Sequence, residues 1–272
     1  MQQETLTDRA ALLRHRARAF AAPDTGAWFL HDAARDEIQE RLRDVNRTFT
    51  KPVIVTGHPH VWDGLIPDAR IVPDTPVLDL EPGQHDLVIH GMSLHWADDP
   101  VGQIIQCRRA LRPDGLFLSA ALGGETLAEL RIALAEAETM VTGGLSPRVA
   151  PMAEVRDMGA LLQRAGLALP VADRLPLRTR YGSIWRLMRD LRAMGETNAL
   201  AARHRKTPKR ELFATADRIY QNTFADGDGL RATFEMIFLT GWAPSDDQPK
   251  PLRPGSAQAR LADALGVKEQ GT

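Results

Sequence analysis

Cysteine is almost missing from this 272-residue chain: a single residue, Cys107, excludes an internal disulfide and any zinc site built on cysteines. It falls in the pattern Val101, Ile104, Ile105, Cys107, Leu111, the border of a buried helical stripe, and nothing near it in sequence would activate a thiol. An excess of either charge is missing too. Thirty-four Lys and Arg against 35 Asp and Glu leave a net charge of −1, which removes the electrostatic argument for nucleic acid as a partner. The basic clusters Arg14-His15-Arg16-Ala17-Arg18 and Arg203-His204-Arg205-Lys206 read as solvated surface. No apolar run reaches membrane-spanning length, and the N-terminus is too polar for a secretory signal. Glu4, Asp8 and Asp24 speak against a mitochondrial presequence, so the expected compartment is a reducing cytoplasm.

What is present is an alternation of short β-branched runs and amphipathic stretches. Two helices are expected first: Leu12, Leu13, Ala17 and Phe20 form the apolar face of one, and Leu30, Ile38, Leu42 and Val45 fall at helical spacing in the second, from about Trp28 to Asn46. Strands follow at Val53–Gly57, Ala69–Asp74, Asp86–His90 and Leu116–Ala120, with helices at Val101–Arg112 and from Glu125 onward. Such alternation implies an α/β domain with a mostly parallel sheet and helices on both faces. Further on, strands at Arg174–Tyr181 and Arg231–Gly241 enclose helical stretches at Ile184–Met194 and about 208–220, which reads as a helical lid between the last two strands. The expected organisation is N-terminal helices over 1–50, one domain over 51–242 with a helical insertion at about 183–221, and a polar tail over 243–272.

Several motifs carry a family likeness when taken together. They are Ser93-Leu94-His95-Trp96, Leu111-Arg112-Pro113-Asp114-Gly115, Gly123-Gly124-Glu125-Thr126-Leu127 running to Arg131, Gly143-Gly144-Leu145-Ser146-Pro147, Met194-Gly195-Glu196-Thr197-Asn198 and Gly241-Trp242. The chain resembles, over nearly its whole length, the methyltransferase-like family of the mitochondrial complex I assembly factor number five. More distantly it resembles the malonyl-carrier-protein methyltransferases of biotin synthesis. The resemblance implies a class I methyltransferase (Rossmann-like) fold with S-adenosylmethionine as cofactor across the carboxyl ends of the strands. It places Gly57, Asp74, His90 and Ser93 at the cofactor. Trp96, Glu125 and Arg131 become the candidates nearer the substrate, and hence for catalysis. Methyl transfer asks mainly for alignment, so no triad is required.

Two departures fall on the cofactor side. A glycine-rich loop lets backbone approach the methionine part of the cofactor; here that place reads Gly57-His58-Pro59-His60-Val61-Trp62-Asp63-Gly64. A parallel crossover needs a dozen residues or more, yet only Thr75-Pro76 separate Asp74 from Val77-Leu78-Asp79-Leu80, so a helix is deleted and the second or third strand is lost or rearranged. The first functional expectation is methyl transfer to a protein substrate, in assembly of a respiratory or other complex. The alternative is a degenerate assembly or scaffold protein that no longer binds the cofactor. A side-chain hydroxylase, an activity the resemblance also allows, or a small-molecule or carrier-protein methyltransferase comes third. The expected partners are a protein substrate or assembly partner, with no nucleic acid and no membrane span. A metal is not expected from any local motif, although strand order could gather His58, His60, His90 and His95 at one sheet edge, with Asp74 one strand away.

Overall fold

The computed structural model describes residues 5–21 and 25–248. Two helices come first, α1 (Arg9–Ala21) and, after a 3-10 turn, α2 (Phe29–Val45). The chain then forms β1 (Pro52–Thr56), the one-turn helix α3 (Pro59–Trp62), β2 (Arg70–Val72), β3 (His85–Gly91), α4 (Pro100–Ala110) and β4 (Leu111–Leu122). Helices α5 (Ala128–Thr142) and α6 (Val155–Arg164) lead to β5 (Ala168–Tyr181). Helices α7 (Ile184–Ala193) and α8 (Arg210–Phe224) precede the short β6 (Ala225–Asp226) and β7 (Gly229–Trp242).

The strands form one sheet in the order β2-β1-β3-β4-β7-β5, with β6 paired to β7. Pairings from β2 through β4 are parallel, and β7 and β5 are antiparallel. Period-2 alternation sorts the central strands between two cores. Ile54, Leu87, Ile89, Leu118 and Phe238 share one core with α2, α5, α7 and α8, while Val53, Val55, Val88, Phe117 and Leu239 share the other with α4 and α6. The fold is that of class I methyltransferases, with α7 and α8 as a lid between the last two strands of the main path.

The short connection after β2 has the consequence its length requires. β2 survives beside β1, and residues 73–84 form no strand. They are strapped to α4 instead: Gln103 Nε2 donates to Thr75 O, Gln106 Nε2 donates to Pro76 O, and Leu78 N donates to Gln106 Oε1. Two side-chain amides thus satisfy backbone that an outer strand would otherwise have paired. The expected turn at Arg112–Gly115 lies within β4 as an irregularity, with Asp114 at φ 60° and the β3 register shifting between His85 and Leu87. Of the expected polar tail, residues 249–272 lie outside the described residues; its start is docked, with Ala243 N donating to Gly115 O and Gln248 Nε2 to Asp114 Oδ1.

At the carboxyl end of β3 the fold depends on an absent side chain. A Cβ on Gly91 would meet the indole of the fully buried Trp62 at 2.7 Å. Gly91→Ala is therefore expected to lower stability by about 1–3 kcal/mol through overpacking, read as a lower urea midpoint. An unchanged midpoint would show that the indole is free to shift.

Candidate functional site

The cleft above β1 and β2 is where the family likeness places a nucleoside, and an arginine from α1 fills it. Arg16 lies on the buried face of α1 with Leu12 and Ala19 and is only 4% exposed. Its Nη1 donates to both oxygens of Asp74, each at 2.9 Å. Arg9, two turns earlier, donates to the same carboxylate from Nη1 and Nη2 at 3.3 Å, and Nη2 also reaches Asp74 O at 2.9 Å. Burial pushes the Asp74 carboxyl up, but the Arg16 charge and the Arg9 contacts outweigh it and hold it below the ordinary carboxylate value.

The same guanidinium covers Gly57. A Cβ built on Gly57 would lie 2.0 Å from Arg16 Nη1, so the space the glycine leaves open is taken by this chain's own side chain. Gly57 N donates to Ser93 Oγ at 2.8 Å, and Ser93 Oγ donates to Gly91 O. His90, on the face turned toward α4, shares a hydrogen bond of 2.7 Å between its Nε2 and Gln103 Oε1 and is fully buried. All four residues expected at the cofactor are thus engaged with protein groups. The resemblance assigns the Asp74 carboxylate to the ribose of S-adenosylmethionine and the Gly57 surface to its methionine part. As folded, these residues do not fit it.

Beside the plug lies a histidine cluster. His58 is fully buried, and neither of its ring nitrogens has a hydrogen-bond partner. Its ring centroid is 4.8 Å from that of His31 on α2. His31 Nδ1 accepts from Trp62 Nε1 at 3.1 Å. Burial drives both imidazoles toward the neutral form, His31 to about 3 and His58 well below the usual value. His60 is exposed and packs on Phe20 and Trp28. The four histidines proposed from strand order therefore do not form one ligand set. His90 belongs to the opposite core and His60 to the surface, whereas His31 and Glu196 join His58 with ligand atoms all within 4.8 Å of one another.

Glu196, just beyond α7, links this cluster to a cavity of about 550 Å³ between the lid and α5. The wall is largely apolar, with Trp96, Leu127, Leu130, Met152 and Phe213. Trp96 Nε1 donates to Glu196 Oε2 at 2.7 Å, and His95 Nε2 stands 3.3 Å from the same oxygen. Burial raises the Glu196 carboxyl, but His95 and the neighbouring positive charge pull it down to about 2, so it is ionised. Of the expected substrate-side residues, only Trp96 lines the cavity. Arg131 Nη2 donates to Thr126 O and Ala150 O behind its wall, and Glu125 is exposed on the turn before α5.

No protein-family model matches the chain. A zebrafish (Danio rerio) protein named "Arginine-hydroxylase NDUFAF5, mitochondrial" is 31% identical over 284 residues, covering 94% of this chain and 88% of its own length. The chain belongs to the NDUFAF5 family. A "Malonyl-[acyl-carrier protein] O-methyltransferase" of Laribacter hongkongensis is 34% identical over 177 residues, covering 65% of this chain and 57% of that one. A crystal structure of a Bacillus halodurans protein aligns with TM-score 0.47 and 12% identity over 76% of this chain and 98% of that one.

In this member of the NDUFAF5 family, sequence reasoning missed three residues that define the site. Arg16 was grouped with Arg14 and Arg18 as solvated surface, and the structure corrects this: its neighbours are exposed while Arg16 is buried. Helical spacing was the available signal, since Arg16 lies four residues after Leu12 and three before Ala19. In the second basic cluster, Arg203 is also engaged, with Nη2 donating to Asp8 Oδ2 at 2.9 Å. His31 carried no motif, and Glu196 lay inside the Met194–Asn198 motif without an assigned role.

The buried titratable groups make this site acid-sensitive. His31 and His58 bind protons less readily folded than unfolded, so stability falls as pH drops below the unfolded value of 6.5. Glu196, depressed to about 2 from 4.5, adds a second loss as pH falls below 4.5. The urea midpoint is expected to decrease from about pH 7 to about pH 5 and more steeply beyond it. A midpoint constant across that window would contradict the neutral buried histidines.

Proposed function

We propose that this chain is a member of the NDUFAF5 family that works without S-adenosylmethionine and receives part of a polypeptide partner in the cavity beneath its lid. One observation carries the reading: the Arg16 guanidinium lies on Gly57 and both oxygens of Asp74. The protein has already filled the position of the nucleoside with a charge pair. The cavity supports the second half. Its rim carries the half-exposed Trp185, with Arg189 and Arg192 on the same outward stripe of α7, an aromatic and guanidinium combination enriched at protein interfaces. One relative's name specifies an acyl-carrier protein, a substrate group presented on a protein. The role follows the likeness to an assembly factor, with the partner in a respiratory or other complex. A reducing compartment such as the cytoplasm suits Cys107, a fully buried thiol whose pKa burial pushes up.

Methyl transfer from S-adenosylmethionine to a protein is the second reading, favoured by the intact cavity and lid, and it makes the opposite prediction for binding. Titration calorimetry of the whole protein with S-adenosylmethionine is expected to give no binding heat and no thermal shift. Arg16→Ala is expected to destabilise the fold by up to about 3–5 kcal/mol, moderated by the Arg9 contacts, because it weakens a buried ion pair. If the variant stays folded, it is expected to gain measurable affinity. Micromolar binding by the unaltered protein, about −8 kcal/mol, would overturn the proposal and restore the methyltransferase reading.

A further inference from the structure

Two imidazoles and a carboxylate meet beside the plug. His31 comes from α2, His58 from the turn after β1, and Glu196 from the loop after α7. Among the described residues this is the one group of His, Cys, Asp and Glu side chains close enough to share an ion. A point common to ligand atoms no more than 4.8 Å apart lies within about 2.8 Å of each. Bonds to a transition metal are about 2.0–2.2 Å, so a shift of up to about 0.6–0.8 Å per side chain closes the site.

His58 supplies the independent sign. Buried polar atoms are nearly always hydrogen-bonded, and one with no partner calls for an explanation such as an unseen ion. Both ring nitrogens of His58 are buried and unpartnered. The ring is also held there by design of the backbone: Gly195, at φ 80°, brings the Glu196 loop so close that a Cβ would sit 3.2 Å from His58 Cε1. Glu196 is oriented as metal carboxylates usually are, by outer groups. Trp96 Nε1 and His95 Nε2 both address Oε2, and Oε1 takes no hydrogen bond from the described residues. The positive charge of Arg16 acts on all three groups and opposes a cation there; its pairing with Asp74 offsets this in part, and the Glu196 carboxylate lies with the imidazoles.

We propose that His31, His58 and Glu196 form a binding site for one divalent transition-metal ion. Two imidazoles and one carboxylate suit Fe(II) or Zn(II) and leave coordination positions free for water or a ligand. Since Glu196 also lines the cavity, the ion lies one side chain from whatever enters it. A hydrogen bond in the cluster also opposes binding. Trp62 Nε1–H donates to His31 Nδ1, which places the imidazole proton of the neutral ring on Nε2. Coordination through Nδ1 must displace that bond, and coordination through Nε2 must move the proton. Removing the indole donor relieves both.

The test uses the full chain, freed of any affinity tag, titrated with Co²⁺ as a spectroscopic probe and with Zn²⁺ as competitor. One Co²⁺ per chain with visible d–d absorption is expected, displaced by Zn²⁺. His58→Ala and Glu196→Gln should each weaken binding by more than about 100-fold, above the roughly 10–100-fold cost of losing an outer-shell partner. His60→Ala, at the exposed neighbour, should bind as the unaltered chain does. Trp62→Phe should bind more tightly, a gain that misfolding cannot imitate. A circular-dichroism melt of each variant separates loss of a ligand from loss of the fold. Absence of the cobalt spectrum in the unaltered chain, or an unchanged spectrum in folded His58→Ala, would overturn the proposal. Binding by folded Trp62→Phe that is no tighter would remove His31 from the ligand set.

Discussion

Arg16 and Asp74 are charged groups that water hardly reaches, and each is tolerated because the other is there. Removing an ion from water costs several kcal/mol, and the mutual attraction repays this only when geometry is good and the remaining groups are met. Asp74 is well met, with Arg9 adding hydrogen bonds from the same helix. Arg16 is less so, since its Nε and Nη2 have no hydrogen-bond partner. The pair nevertheless fixes how α1 sits on the sheet. That in turn closes Gly57 and sets the floor beneath the Gly195 loop.

The same packing explains why one half of the molecule is filled and the other remains hollow. On the β2 side the outer strand is gone, and Gln103 and Gln106 hold the remaining strap against α4. On the α5 side the lid stands off the sheet and leaves a large cavity with an apolar wall. Glu196 is the hinge between these regions, touching Trp96 at the cavity and lying beside His58 and His31 at the plug. A change in how the lid sits would therefore move a carboxylate in the buried cluster as well.

The fold was legible because its signals are local. Val53-Ile54-Val55, Leu87-Val88-Ile89 and Leu116-Phe117-Leu118 read as buried strands, and all three are. The missing crossover could be inferred from length alone, since two residues cannot span it. The loss in the glycine loop was visible as bulk at His58 and Pro59. What lies against Asp74 was not visible, because Arg16 is 58 residues from it in sequence and its cluster looked like surface. His31 was hidden for the same reason: only the folded chain brings α2 against the turn after β1. Trp96 lines the cavity, whereas Glu125 is exposed on the turn before α5 and Arg131 is bonded to Thr126 O and Ala150 O behind the wall.

The direct measure of the central interaction is a double-mutant cycle on unfolding free energy with Arg16→Met, Asp74→Asn and the pair together. A buried pair that organises the cleft is expected to give a coupling of about 2 kcal/mol or more. Single-variant losses that add to within about 0.5 kcal/mol would show that the two side chains do not depend on one another, and the account of a charge pair standing in the nucleoside's place would fail.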